Sequence, residues 1–149
     1  MTTKLVNGVS VDMDPAEAAA FEADRTPTLP QAKKLMRDRI AARRVVAEQG
    51  GFLHLTVRYN SDPQMLARIA IVAERARTAK TTATAFSINV IAADDTSGPM
   101  SADAYIALEK SAGDHFLACS DNAKTLRQAV NACTDVPSAL AVNIEVGWP

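Results

Sequence analysis

The feature that most constrains the fold is an apolar stripe in the last third of the chain. Its members recur every three or four residues, so they fall on one face of a helix. The stripe consists of Tyr105, Leu108, Ala112, Phe116, Cys119, Ala123, Leu126, Val130 and Cys133. This spacing predicts one amphipathic helix over residues 102–134, with a seam narrow enough to resemble a coiled coil. Such a helix must lie against another surface.

Two surfaces can cover the stripe: the protein's own sheet, or a helix of another chain. Hydrophobic residues make up 48% of the 149 residues, but aromatic residues only 5%. Small side chains give a thin core, and a thin core favours a partner that completes the apolar surface. We therefore predict a set of partner-binding residues on the stripe and near the C-terminus. They are Tyr105, Leu108, Phe116, Leu126, Val130 and Trp148.

The first thirty residues have the pattern of a separate docking segment. Two short extended runs flank Asn7-Gly8, a signal for a type I′ hairpin turn. Asp14-Pro15 then starts a short helix that reaches residue 24. The two prolines of Thr26–Pro30 predict an extended linker. We accordingly divide the chain into a docking segment with its linker, 1–30, and a domain, 31–149.

The rest of the chain alternates helical and extended patterns. Helices are predicted over 31–49 and 63–80, and strands over 52–59, 86–92 and 139–146. In the first strand, Leu53, Leu55, Val57 and Tyr59 share a face, and 94–99 reads as a loop. These patterns predict the α+β class. The expected architecture is a small sheet packed by helices, one long C-terminal amphipathic helix and an N-terminal strand-pair and helix appendage, without tight hairpins between the later strands.

Charge gives no reason to expect nucleic acid or a membrane as a partner. The formal net charge is −1, and the basic run from Lys33 to Arg44 reads as a solvated or partner-facing helix face. No apolar run approaches the roughly 20 residues that span a bilayer. The N-terminus has no signal-peptide pattern, so synthesis in a cytoplasm is the expectation.

No residue pattern indicates catalysis. Asp114-His115 has no serine or cysteine nucleophile in a recognisable motif nearby, so His54 and His115 are predicted to be surface or boundary histidines. Cys119 and Cys133 are predicted to be reduced, buried and inert.

The carboxylates also lack the pattern of a metal site. Asp62, Asp94 and Asp95 do not have the spacing of a calcium loop, so they are predicted to form turns. We predict that the protein is not an enzyme and uses neither a cofactor nor a metal.

Several stretches resemble a known group of proteins. They are residues 5–23, 37–51 and 60–69, the helix that carries Cys119, and the Gly147–Pro149 ending. Together they are similar to an uncharacterised domain family of tailed-bacteriophage tail-module proteins, often encoded beside tail-fibre genes. Many relatives have a tryptophan and an Asp-Gly turn where this chain has Phe86 and Asp94-Asp95.

The resemblance implies a tail-associated role and no catalytic residues. In one alternative the protein is a structural component of the fibre or baseplate, in the virion tail, which docks to another tail subunit or forms a homo-oligomer. In the other it is a tail-fibre assembly chaperone, present in the host cytoplasm during assembly and absent from the mature virion.

Overall fold

A computed structural model describes residues 3–6 and 9–149 of the chain. Within these residues five α-helices accompany three two-stranded antiparallel sheets, which confirms the α+β class and the long C-terminal helix. The sheet is divided into separate hairpins. The elements are β1 (Thr3–Val6), β2 (Val9–Asp12), α1 (Pro15–Arg25), α2 (Leu29–Gln49), β3 (Phe52–His54), β4 (Val57–Tyr59), α3 (Pro63–Thr81), β5 (Ser87–Ile91), β6 (Ser97–Ser101), α4 (Ala102–Ala132) and α5 (Val136–Leu140).

The N-terminal unit, residues 3–25, consists of the β1–β2 hairpin and α1. Asp14 caps α1 by accepting hydrogen bonds from the amides of Ala16 and Glu17, both at 2.8 Å. Lys4 and Glu17 form an ion pair between the hairpin and the helix. The predicted turn at Asn7-Gly8 lies outside the described residues. Neither of the two hydrophobic cores contains a described residue of this unit.

The predicted linker is shorter than expected, because α2 begins at Leu29. Thr28 is the N-cap, and its backbone amide donates to the side chain of Gln31 at 2.7 Å in a capping box. Pro30 lies in the first turn, where a missing N–H leaves no helical hydrogen bond unmade. The extended linker prediction for 26–30 was therefore wrong for its last two residues.

Helix α4 is the common wall of both cores. Its 31 residues span about 46 Å at 1.5 Å per residue. Its N-terminal half packs with α3 and the β3–β4 and β5–β6 hairpins, through Tyr105, Leu108 and Ala112. Its C-terminal half packs with α2 and the C-terminal residues. The apolar stripe is thus the core face of the helix.

The buried stripe includes His115 in place of Phe116. His115 is 7% exposed, whereas Phe116 is only partly buried. Both positions fit the helical spacing between Ala112 and Cys119. The imidazole Nε2–H donates at 3.1 Å to the carbonyl of Ala47 in the last turn of α2, which also accepts from the amide of Gly50 at 3.2 Å. The surface or boundary prediction for His54 and His115 was wrong, because both rings are buried.

The C-terminal end of α2 is held by three separate elements. His115 of α4 binds the carbonyl of Ala47, and the buried Ser61 hydroxyl donates to the carbonyl of Glu48 at 2.5 Å. The guanidinium of Arg58 on β4 donates to the carbonyl of Gly50 at 2.6 Å. These donors bind carbonyls at a helix end, where the amides of a next turn are missing, and they fix α2 against the rest of the fold.

The predicted strand over 52–59 is in fact a tight hairpin. Leu55 and Thr56 form a two-residue loop between β3 and β4, with His54 opposite Val57. Of the predicted apolar face only Tyr59 is buried, together with Phe52 and His54 of the opposite face, whereas Leu53, Leu55 and Val57 are exposed. A reversal of the chain places residues from both sides of the turn on one buried face.

A second hairpin replaces the predicted loop after β5. Asp94 accepts hydrogen bonds from the amide and hydroxyl of Thr96 at 3.1 and 2.6 Å, and Asp95 takes a positive φ of 63°. This turn returns the chain as β6, so the expectation that tight hairpins would be absent here was wrong. Two-stranded pairing with β5 compensates for the weak strand propensity of Ser97–Ser101.

The predicted last strand, 139–146, is a short helix followed by irregular chain. Asp135 caps α5 by accepting from the amide of Ser138 at 2.8 Å, with Pro137 in the first turn. After α5, Val142, Ile144 and Trp148 pack on the second core, while the other residues from 141 to 149 are exposed. The alternating apolar residues that predicted a strand therefore pack on the core without pairing to another strand.

The position of the stripe gives a test of the fold. Leu126 is 7% exposed in the second core, so Leu126→Asp buries an unpaired carboxylate and should cost more than about 4 kcal/mol of unfolding free energy. We expect the cooperative thermal transition to be lost. The control is Leu117→Asp on the same helix, where Leu117 is 66% exposed, and it should change stability by less than about 1 kcal/mol. A stable Leu126→Asp variant that loses only self-association would contradict the intramolecular packing.

Candidate docking surface

Four of the six predicted partner-binding residues face the protein's own core. Tyr105 and Leu108 belong to the first core, and Leu126 and Val130 to the second. All four are at most 7% exposed. A partner could reach these side chains only if the cores opened, so they offer no docking surface in this structure.

The other two predicted residues are partly buried and have intramolecular contacts. Phe116 meets the ring of His115 edge-on at 6.0 Å. Trp148 packs on the second core, its Nε1 donates to the carbonyl of Ile144 at 2.8 Å, and the guanidinium of Arg43 lies 5.5 Å from its ring. Both keep some exposed surface, and a partner contact through them stays a prediction.

The pair His54 and Ser111 lacks the geometry of an activated nucleophile. His54 Nδ1 lies 2.9 Å from Ser111 Oγ, and that hydroxyl is 3.1 Å from the carbonyl of Ala107. When the single hydroxyl proton is donated to the Ala107 carbonyl, which only accepts, His54 Nδ1–H donates to Ser111. The imidazole therefore does not take the serine proton. The bond instead ties β3 to α4.

The pair His115 and Cys119 is equally inert. Because His115 Nε2 donates to the Ala47 carbonyl, it carries a proton and cannot take one from Cys119 Sγ, 3.8 Å away. Cys119 is fully buried, and burial raises the pKa of its thiol, so the nucleophilic thiolate is disfavoured. Both cysteines are free; Cys119 is buried as predicted, whereas Cys133 is only half-buried.

The aspartates singled out in the sequence have local structural roles. Asp62 caps α3 by accepting from the amides of Gln64 and Met65 at 3.0 Å, and Asp94 forms the β5–β6 turn. Hydrogen bonds from Thr96 lower the pKa of Asp94. Across residues 3–6 and 9–149, no group of three or more His, Cys, Asp or Glu is placed to hold a metal ion.

Most cations of the basic face of α2 have intrachain partners, and three of the six face a carboxylate. Of its six cations, only Arg39 has no polar partner within the described part of the chain. The contacts are Lys34–Asp38 at 2.7 Å, Arg43–Glu145 at 2.8 Å, Arg44–Glu48 at 3.3 Å, Lys33 to the carbonyl of Asn131 at 2.7 Å, and Arg37 to the Asn131 side chain at 3.2 Å. A phosphate backbone would have to compete with these partners.

One surface feature without an intramolecular explanation is the tip of the β3–β4 hairpin, defined here as Leu53, Leu55 and Val57. Leu55 is 87% exposed, and its neighbours Leu53 and Val57 are 59% and 37% exposed. Leu55 also has a φ of 57°. Glycine is favoured at that position of a two-residue loop, and a leucine there costs about 1–2 kcal/mol.

The tip was missed because its sequence alternates like a half-buried strand. Leu53, Leu55 and Val57 fit one face of that pattern, and no Gly, Asn or Asp indicates a turn at Leu55-Thr56. The chain reversal there depends on Phe52 and Tyr59, which both belong to the first core and stack at a centroid distance of 5.8 Å.

Residues 31–146 match the model of a protein family described as Domain of unknown function (DUF4376). The chain belongs to this family. The matched range of the DUF4376 member contains both cores and the hairpin tip, and it begins after the N-terminal unit. No curated protein and no solved structure matches the chain. In the described part of this DUF4376 protein, none of the helices has the length and apolar character required to cross a membrane.

The buried His54 predicts a pH dependence of stability. Burial lowers the pKa of His54 below 6.5, so the folded protein keeps this imidazole neutral where the unfolded chain takes up a proton. The contribution of the neutral His54 to the free energy of unfolding is complete above about pH 6.5. It is lost progressively as the pH falls from there toward the folded-state pKa of His54. We expect the free energy of unfolding to decline over this interval in chemical denaturation.

The variants of the pair separate this titration from the hydrogen bond. His54→Gln should remove that part of the decline, whatever its effect on stability at neutral pH. Ser111→Ala removes the hydrogen-bond partner but leaves the buried imidazole, so the decline should remain. An unchanged pH profile in His54→Gln would contradict the assignment.

Proposed function

We propose that this protein is a bacteriophage tail-associated structural protein of the fibre or baseplate region, which acts by docking to another tail subunit. The observation that carries the docking role is the exposed, strained apolar tip of the β3–β4 hairpin. The resemblance of the sequence to tail-module proteins supports the tail assignment. The protein would be in the host cytoplasm during assembly and in the virion tail afterwards.

The energetics of the tip support a contact with a partner. Leu55 buries little of its side chain in the fold and has a backbone conformation that disfavours leucine. Within the chain, a glycine would be at least as stable there. Leu53 and Val57 beside it extend the apolar surface, and an apolar pocket on a partner would bury all three side chains.

The N-terminal unit provides a second element for attachment. It contributes no described residue to either core, and it lies outside the range that matches the family. The capped α1 and its ion pair with the hairpin give the unit local order of its own. Attachment through this unit would leave the packing of both cores unchanged.

Substitution of Leu55 tests the docking role. In Leu55→Gly the unfavourable φ disappears, so the free energy of unfolding should be unchanged or about 1 kcal/mol higher. Incorporation into particles, measured by complementing a phage that lacks this protein, should fall about tenfold if the leucine is an interface anchor. Leu117→Ala, which shortens another exposed leucine on α4, is the matched control and should incorporate normally. Normal incorporation of Leu55→Gly would remove the tip from the docking surface.

Quantitative mass spectrometry of purified virions distinguishes the structural role from that of a tail-fibre assembly chaperone. A structural component should be present in fixed proportion to the major tail proteins. Abundance in the lysate with absence from particles would favour the chaperone. Absence from both would contradict the assignment to a phage tail.

A further inference from the structure

The two edges of the β5–β6 hairpin differ. The amide of Ala92 donates to the carbonyl of Thr96 at 2.8 Å. This bond shows which residues of β5 direct their backbone N–H and C=O groups toward β6. Because backbone groups alternate in direction along a strand, Ile88 and Val90 point toward β6, and Ser87, Asn89 and Ile91 point away from it. The outer edge of β5 therefore presents the N–H and C=O groups of these last three residues.

Just beyond one end of β5, this outer edge makes a single backbone hydrogen bond to β4. The amide of Ala93, next in the outward series, donates to the carbonyl of Arg58 on β4 at 2.9 Å. The outward backbone groups of Ser87, Asn89 and Ile91 have no hydrogen-bond partner among the described residues. All three residues are exposed. The edge is thus in a geometry that accepts a strand, and most of it is unpaired.

Proline protects the other edge of the hairpin. Pro99 is paired with Asn89, so it belongs to the set of β6 residues that point away from β5. Since proline has no N–H, it interrupts pairing along that outer edge. The outer edge of β5 has neither proline nor a charged residue, the usual means of preventing strand addition.

A cleft of about 240 Å³ lies along the unpaired edge, between β5 and α3. Met65, Val72, Ile88, Val90 and Tyr105 give it an apolar lining. Arg68 also lines it, is exposed, and has no ion pair or hydrogen bond within the described residues. The cleft is smaller than typical small-molecule sites, and its size suits one side chain.

We propose that the outer edge of β5 binds an extended segment of a partner protein as an added β-strand. An apolar side chain of that segment fills the cleft, and a carboxylate near it pairs with Arg68. A second copy pairing through the same edge does not fit, since β5, Ser87–Ile91, has no carboxylate to offer Arg68. The inference rests on the proposed docking function and names the kind of segment that docks.

A peptide selection tests the edge on the full-length protein. The probe is a yeast-displayed library of random peptides of about seven residues, a length that spans β5. Selected peptides should alternate apolar and polar residues and include Asp or Glu. Their amide resonances and those of Asn89 and Ile91 should gain protection from hydrogen exchange in the complex.

Asn89→Pro removes an outward N–H without removing a bond to β6, and it should weaken peptide binding at least about tenfold. Its matched control is Ser97→Pro, which places proline on the outer edge of β6, and it should bind within about twofold of the parent. Arg68→Glu, at an exposed position that leaves the ladder intact, should weaken the same peptides and select basic ones instead.

Selected peptides without alternating apolar and polar residues would overturn the inference. Binding of the selected peptides by Asn89→Pro and Arg68→Glu as tightly as by the parent protein would overturn it too. No enrichment of any peptide would also overturn it. Peptide binding at the edge by a protein absent from both virions and lysate would leave the inference standing and remove the tail function. Incorporation into virions without edge-dependent peptide binding would leave the tail function standing and overturn the inference.

Discussion

The packing of α4 is the interaction on which the rest of the structure depends. One stripe along 31 residues forms a wall of both cores, so neither core is complete without it. The first core places α3 and two hairpins on the N-terminal half of the helix, and the second places α2 and the C-terminal residues on the other half. A thin, alanine-rich interior is sufficient because a single rigid helix aligns everything that packs on it.

Polar contacts at the end of α2 join these two halves. His115, Ser61 and Arg58 come from three parts of the chain and donate to the carbonyls of Ala47, Glu48 and Gly50 at the C-terminal end of α2. The two histidines therefore have structural roles: His115 binds a carbonyl at the C-terminal end of α2, and His54 links β3 to α4 through Ser111. Donation of their protons to acceptors in the fold is also what prevents either ring from activating its neighbouring Ser111 or Cys119.

The surface features that this packing leaves unexplained lie on the two later hairpins. The tip of β3–β4 exposes a leucine in a conformation suited to glycine, and β5 leaves an edge unpaired beside an apolar cleft. Folding alone gains nothing from either feature. Both become favourable when a partner buries the leucine and completes the backbone hydrogen bonds, which is why we assign the docking role to these hairpins rather than to the α4 stripe.

The sequence by itself determined helices α1 to α4, because caps and apolar periodicity are local signals: Ser101 caps α4, Asp62 caps α3, and the stripe spacing predicts the length of α4 to within two residues. Only the tertiary structure decided that His115 enters the core instead of Phe116, that 52–59 reverses at Leu55, that Ser97–Ser101 pairs as a strand, and that Val142 and Ile144 pack without one. His115, Val142 and Ile144 depend on partners distant in sequence, such as the Ala47 carbonyl for His115, and the hairpin residues Phe52 and Tyr59 are buried in a core that α3 and α4 complete. Local patterns carry no record of such partners, so the two later hairpins could not be predicted from the sequence alone.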